Sequence, residues 1–249
     1  MTVLIFKNLI RTKETSILFV MACFMLILPI VNLFNSDFMR ISGEPESVSF
    51  LDFLAGEFDV QNMLILPMVV MAYLVVTAIY TPVATGRMFL YKDLSRTTII
   101  NAKVLALLGI YTIYVALQVA VTFGLYYLYI VRFDYASGLF LPASDASAAA
   151  DVISIAGVVF GELLTIMVAV ALATRFSTGI IMFGSILWIC LCATLPQLAG
   201  ARYAVPGGYG TLLPSLGLPV TLLLMLALST VYAAGLYAYA RRRFSRLEY

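Results

Sequence analysis

Six stretches of this chain are too long and too apolar to be the half-buried helices of a water-soluble protein. They cover residues 16–34, 62–82, 104–130, 152–174, 179–195 and 216–240. A helix rises about 1.5 Å per residue, so about 20 apolar residues cross a hydrocarbon core. The runs are continuous rather than alternating, which argues against a β-barrel. Composition agrees: 63% of the 249 residues are hydrophobic and 11% charged, with a mean hydropathy of +1.02. A soluble domain is about half apolar and about a quarter charged. The chain is therefore predicted to be an all-α membrane protein, one domain over residues 1–249 with six transmembrane helices.

Charge placement sets the expected orientation. With both termini on one side, that side holds Lys7, Arg11, Lys13, Arg87, Lys92, Arg96, Lys103, Arg175, Arg241, Arg242, Arg243 and Arg246. The other side holds only Arg40, Arg132 and Arg202. Cations accumulate on the cytoplasmic side, so both ends are predicted to be cytoplasmic. Asp37, Glu44, Glu46, Asp52, Glu57, Asp59, Asp134, Asp145 and Asp151 fall on the opposite side. The small net charge of +2 hides this polarity and gives no sign of a nucleic-acid partner.

Several chemistries are excluded at once. The chain has no histidine, which removes His-based triads and His-ligated zinc or haem. Its three cysteines, Cys23, Cys190 and Cys192, lie in apolar runs and read as small packing groups. The stretch from Val20 to Cys23 resembles a lipoprotein cleavage box, but the apolar run continues past it, so no processed signal is expected. Residues 1–15 read as a surface helix, with Val3, Leu4, Phe6 and Ile10 toward lipid and Lys7, Arg11 and Glu14 on the polar stripe.

Outside the spans, residues 35–61 read as the longest outer loop. Residues 196–215 are rich in Gly and Pro, and either dip back into the outer leaflet or form an ordinary surface loop. Within the spans, Glu162 is the one ionisable residue placed deep in the bilayer, about midway along the fourth run. A carboxylate at that depth costs at least ~2.5–3.5 kcal/mol, so it must face protein or water. It is either a functional group, as a contact for cargo or a gating pair across a dimer, or a structural hydrogen-bonding group with Gln118 as a candidate neighbour. Gly157 and Gly161 form a GxxxG pair that permits close helix approach. Tyr111, Tyr114, Tyr126, Tyr127 and Tyr129 cluster on the third run; those near its end read mainly as an interfacial belt, the alternative being a lining for cargo.

The largest cytoplasmic connection, residues 85–103, is amphipathic: Met88, Phe89, Leu90, Leu94, Ile99 and Ile100 give it an apolar side, and Lys92, Arg96 and Lys103 a cationic one. Taken alone, that pattern fits basic side chains reaching anionic lipid headgroups. The same segment also resembles the first cytoplasmic loop of type-2 ABC export permeases. Gly86, Leu90, Leu94, Ser95, Arg96, Ile99 and Lys103 match the family's pattern, while Asp93 stands where a proline is usual and no acidic residue precedes Gly86. The likeness extends to the surface helix, the six spans and the broken segment before the last one.

The resemblance implies a coupling helix between spans two and three, with Gly86, Leu90, Lys92, Leu94, Ser95, Arg96, Ile99 and Lys103 facing a separate ATPase. It implies a permease in a cell membrane, the bacterial cytoplasmic membrane by analogy, paired with a second permease, identical or homologous, and two ATPase subunits. Cargo in that family includes drugs, antimicrobial peptides, lipids and glycans; the short loops here point to a drug or peptide. None of Lys7, Lys13, Lys92 and Lys103 follows a glycine, so no P-loop is present and ATP with magnesium belongs to the partner. The chain itself is expected to be neither an enzyme nor a cofactor binder. The alternative is a self-powered secondary transporter with Glu162 as its proton or cation site.

Overall fold

The computed structural model describes residues 2–34, 44–86 and 95–246, and among these it is built from helices. The order is α1 (Thr2–Leu9), α2 (Lys13–Ala22), α3 (Ile27–Leu33), α4 (Phe50–Leu64), α5 (Leu66–Val75), α6 (Thr81–Ala84), α7 (Arg96–Leu128), α8 (Asp145–Ala173), α9 (Thr178–Thr194) and α10 (Leu213–Ser245). Five helical stretches are long and apolar enough to cross a membrane: Leu66–Ala84, Arg96–Arg132, Asp145–Ala173, Thr178–Gln197 and Pro206–Ser245. A sixth is reached if α2 and the Phe24–Leu33 stretch, bent by 55°, count as one span. The chain is an all-α membrane protein, and each predicted run overlaps one of these stretches, although residues 62–64 end α4 and the second stretch begins only at Leu66.

Breaks in the helices follow from local chemistry. The bend after α2 falls at Cys23, where a 3-10 turn, Phe24–Leu26, precedes Pro29. Pro29 has no N–H to give to the Met25 carbonyl one turn back, so the ladder loosens there. Between α5 and α6 the chain takes a π turn, Val76–Tyr80, with the Thr81 N–H reaching the Val76 carbonyl. That wider turn makes room for Pro82, whose ring would otherwise press on a carbonyl of the preceding turn. Inside α10, Gly217 (φ 74°) breaks the helix two residues before Pro219.

Residues 50–64, expected in a loop, form α4. Its start is fixed by a capping box in which Ser49 Oγ accepts from the Asp52 N–H at 3.3 Å and the Ser49 N–H donates to Asp52 Oδ2 at 2.8 Å. Phe50, Phe53, Leu54 and Phe58 face inward on one side of it. Two loops are knitted in front of this cap. The Glu46 and Val48 N–H groups donate to the Asp134 and Tyr135 carbonyls, and the Ser137 N–H returns a bond to the Val48 carbonyl. Ser49→Ala removes the side-chain acceptor and should lower stability by about 1 kcal/mol, seen as an earlier thermal transition of detergent-purified protein. Ser49→Thr, which keeps a hydroxyl able to accept from the Asp52 N–H and donate to Asp52 Oδ2, should lower it less.

Helix α8 is the central element, packed by α4, α5, α9 and α10. Its neighbour α7, 33 residues and about 50 Å long, is longer than a hydrocarbon core is thick. Helix α1 lies along α7, with Phe6 against Gly109, so Phe6 faces protein while Val3 and Leu4 stay exposed. The outer faces of α9 and α10 carry exposed Phe183, Leu187, Leu223, Leu226 and Val231. So much exposed hydrocarbon on neighbouring helices suits lipid and not water.

Candidate functional site

Two features meet on the inner sides of α4, α7 and α8: a buried polar network and a cavity. The network begins at Glu57 of α4, 1% exposed. Its Oε1 accepts from Gln61 Nε2 at 3.0 Å, and its Oε2 from the Thr122 hydroxyl of α7. Gln61 bridges onward. Its Oε1 accepts from the Tyr114 hydroxyl at 2.5 Å, and its Nε2 also donates to the Met21 carbonyl at 3.2 Å. Three elements distant in sequence, α2, α4 and α7, are thereby tied by one amide.

Gln118 stands one turn from Tyr114 and Thr122 on the same face of α7, 1% exposed, with its amide beside the Glu57 carboxylate. One turn toward the other end, the Tyr111 hydroxyl donates to Glu162 Oε2 of α8 at 2.8 Å. The rings of Tyr111 and Tyr114 lie 6.2 Å apart.

These positions correct several expectations. Glu162 is buried as predicted, at 4% exposure, but its partner is Tyr111 and not Gln118. Nor is it the one buried ionisable group: Glu57, assigned by sequence to an outer loop, and Lys103 are buried too. Tyr126, expected in an interfacial belt, is inside the protein and donates to the Val48 carbonyl at 2.8 Å, and Tyr111 and Tyr114 are buried further in. The missed signal is periodic. Tyr111, Tyr114, Gln118 and Thr122 recur at i, i+3, i+7 and i+11, which is one polar stripe down an otherwise apolar helix.

The cavity, about 370 Å³, lies between α4, α5, α8, α9 and the segment that precedes α10. Glu162 and Thr165 line it from α8, and Asp59, Asn62 and Ser154 give it further polar groups. Ser154 donates to Asp59 Oδ1 at 3.0 Å. Met68, Ile153, Val158 and Ile189 supply apolar wall. The segment before α10 folds as 3-10 turns at Leu195–Gln197, Arg202–Ala204 and Pro206–Leu212, and it closes one side. It packs back against α8, so it is a wall of the bundle and not a freely projecting loop. The contact is close: a Cβ on Gly157 would come within 3.2 Å of Gly207 Cα. Gly157 of the GxxxG pair thus serves an approach within this chain, and Gly161 lines the cavity.

The matched loop is seen at its two ends. Gly86 turns with φ 69° just after α6, and Ser95 caps α7 by accepting from the Thr98 N–H at 3.2 Å. Arg96 donates to the Ser245 carbonyl at 3.3 Å. Ile99 and Lys103 (4% exposed) point into the protein and present no docking surface on this chain. Leu90, Lys92 and Leu94 lie outside the described residues. No group of three or more metal-ligating side chains occurs among the described residues. Comparison of the chain with protein-family models, curated proteins and solved structures finds no match.

Proposed function

We propose that this chain is the membrane subunit of an ATP-driven exporter of the type-2 ABC permease kind. In this reading six spans cross a cell membrane with both termini in the cytoplasm, and two permeases pair with two ATPase subunits. The observation that carries it is the 85–103 segment, matched at Gly86, Leu90, Leu94, Ser95 and Arg96. The Arg96 bond to the Ser245 carbonyl supports it, because it sets the exit of that segment beside the cationic end of α10. Movement of a docked ATPase at that point has two levers, α7 and α10, into the bundle. With Ile99 and Lys103 turned inward, docking falls to Leu90, Lys92, Leu94 and Arg96.

Truncating apolar anchors removes contact area, whereas rim charges mainly steer. Leu90→Ala with Leu94→Ala should therefore abolish co-purification of the ATPase, and Lys92→Ala alone should reduce it only modestly. An ATPase that stays bound and stimulated by the double variant overturns the reading.

A second reading, secondary transport through Glu162, gains from the structure, because Glu57 joins Glu162 as a buried acid beside the same tyrosines. Efflux that continues in the double leucine variant and stops with a protonophore would favour it.

A further inference from the structure

The cavity beside Glu162 has a chemistry that specifies its guest. Two carboxylates, Asp59 and Glu162, line it, and no lysine or arginine among the described residues does. An anion entering it would meet only like charge. Glu162 is almost wholly buried, and its one described hydrogen bond, from Tyr111, is made by Oε2. Because Glu162 lines the cavity, the part of the carboxylate left exposed opens to the cavity and not to bulk water. A carboxylate in an apolar, water-poor site gains most from a cation that also sheds its hydration easily.

The walls and the volume narrow the class further. Met68, Ile153, Val158 and Ile189 offer hydrocarbon, which a hydrated metal ion does not use. Ligand pockets run from about 300 Å³ upward, so about 370 Å³ is the small end and cannot hold a folded peptide. From these observations we infer that the cavity between α4, α8 and the 195–212 segment is a binding site for a small organic cation with an apolar body. Asp59, exposed, meets the charge first and Glu162 holds it at depth. The inference names a cargo class for the exporter proposed above and rests on that reading for its role in transport, but the binding itself needs no ATPase.

The test is equilibrium dialysis of the purified full chain in lipid nanodiscs, against labelled tetraphenylphosphonium and, in parallel, tetraphenylborate. The two ions share a shape and differ in sign, and empty nanodiscs give the lipid partition to subtract. Saturable tetraphenylphosphonium binding, at least about tenfold tighter than any saturable tetraphenylborate binding, is expected. Glu162→Gln keeps an acceptor for Tyr111 and should weaken it about tenfold, as should Asp59→Asn. Gly161→Leu leaves both carboxylates in the sequence and puts hydrocarbon into the open space at the cavity wall, where an added Cβ meets nothing within 4 Å. It should abolish binding. Asp59 is exposed, so its variant carries the result even where Glu162→Gln fails to fold.

No saturable binding by wild type, equal binding of both ions, or wild-type affinity in the Asp59→Asn protein overturns the inference. ATPase association is measured separately. Loss of tetraphenylphosphonium selectivity with the ATPase still bound removes the cargo class and leaves the exporter, and the reverse result does the opposite.

Discussion

Glu57→Ala should destabilise the protein by about 3 kcal/mol, among the largest effects of any conservative truncation in the chain. The carboxylate is the acceptor for both Gln61 Nε2 and the Thr122 hydroxyl, in a place water does not reach. Alanine leaves both donors facing a void, and each buried unpaired group costs about 1–3 kcal/mol. Disturbance spreads because Gln61 also takes the Tyr114 hydroxyl and reaches the Met21 carbonyl. Glu57→Gln retains an oxygen acceptor of the same shape and should cost much less. Tyr114→Phe, which leaves Gln61 Oε1 without its donor, should fall between the two. The readout is the fraction of monodisperse protein left after heating, followed by size-exclusion chromatography. A shift of the midpoint by about 10 °C for alanine is expected. If Glu57→Ala survives heating as well as Glu57→Gln, the carboxylate is not holding α4 to α7.

That network shows where the sequence could be read and where it could not. Spans were legible because hydrocarbon thickness imposes a length on apolar runs, and residues 152–174 or 216–240 can do little else. Glu162 stood out for the same reason, being charged within such a run. Glu57 did not, because α4 has only 15 residues and carries Asp52 and Asp59 beside it, too short and too acidic to be read as a span. Its helix was nevertheless written in the chain. Ser49 and Asp52 have capping-box spacing, and Phe50, Phe53, Leu54 and Phe58 recur at i, i+3, i+4 and i+8. A polar helix packed among spans looks like a loop to composition and like a helix to periodicity.

Partners are harder than elements. Tyr111 and Gln118 sit two turns apart on one face of α7, and which of them meets Glu162 depends on the offset between the helices, here Tyr111. Nothing local fixes that offset. It comes from many contacts at once, among them Phe50 and Phe53 against Tyr126 and the fit of Gly157 to Gly207. The sequence therefore named the acid and missed the hydroxyl that holds it.

The wall before α10 offers the sharpest single-atom test of the cavity. A Cβ on Gly208 would lie 1.8 Å from the Arg202 carbonyl oxygen and 2.5 Å from its carbon, both backbone atoms that cannot rotate aside. Gly208→Ala must therefore open the turn between Arg202 and Gly208, in which the Gly208 N–H donates to the Val205 carbonyl at 3.2 Å. Pro206, Gly207 and Gly210 line the cavity from this segment, so its wall moves with the turn. Two results are expected together: loss of tetraphenylphosphonium binding, and faster cleavage by trypsin after Arg202, whose flanking backbone is no longer held. Gly200→Ala is the matched control, in the same segment but with nothing within 4 Å of the added carbon, and should change neither. The pairing matters because α8 supplies the carboxylate whether or not the wall is in place. Binding lost with Glu162 untouched means that the guest is enclosed between α8 and this segment and not merely attracted by charge. Equal trypsin rates and equal affinities in the two glycine variants would show that the Pro206–Leu212 turn does not form a wall of the cavity.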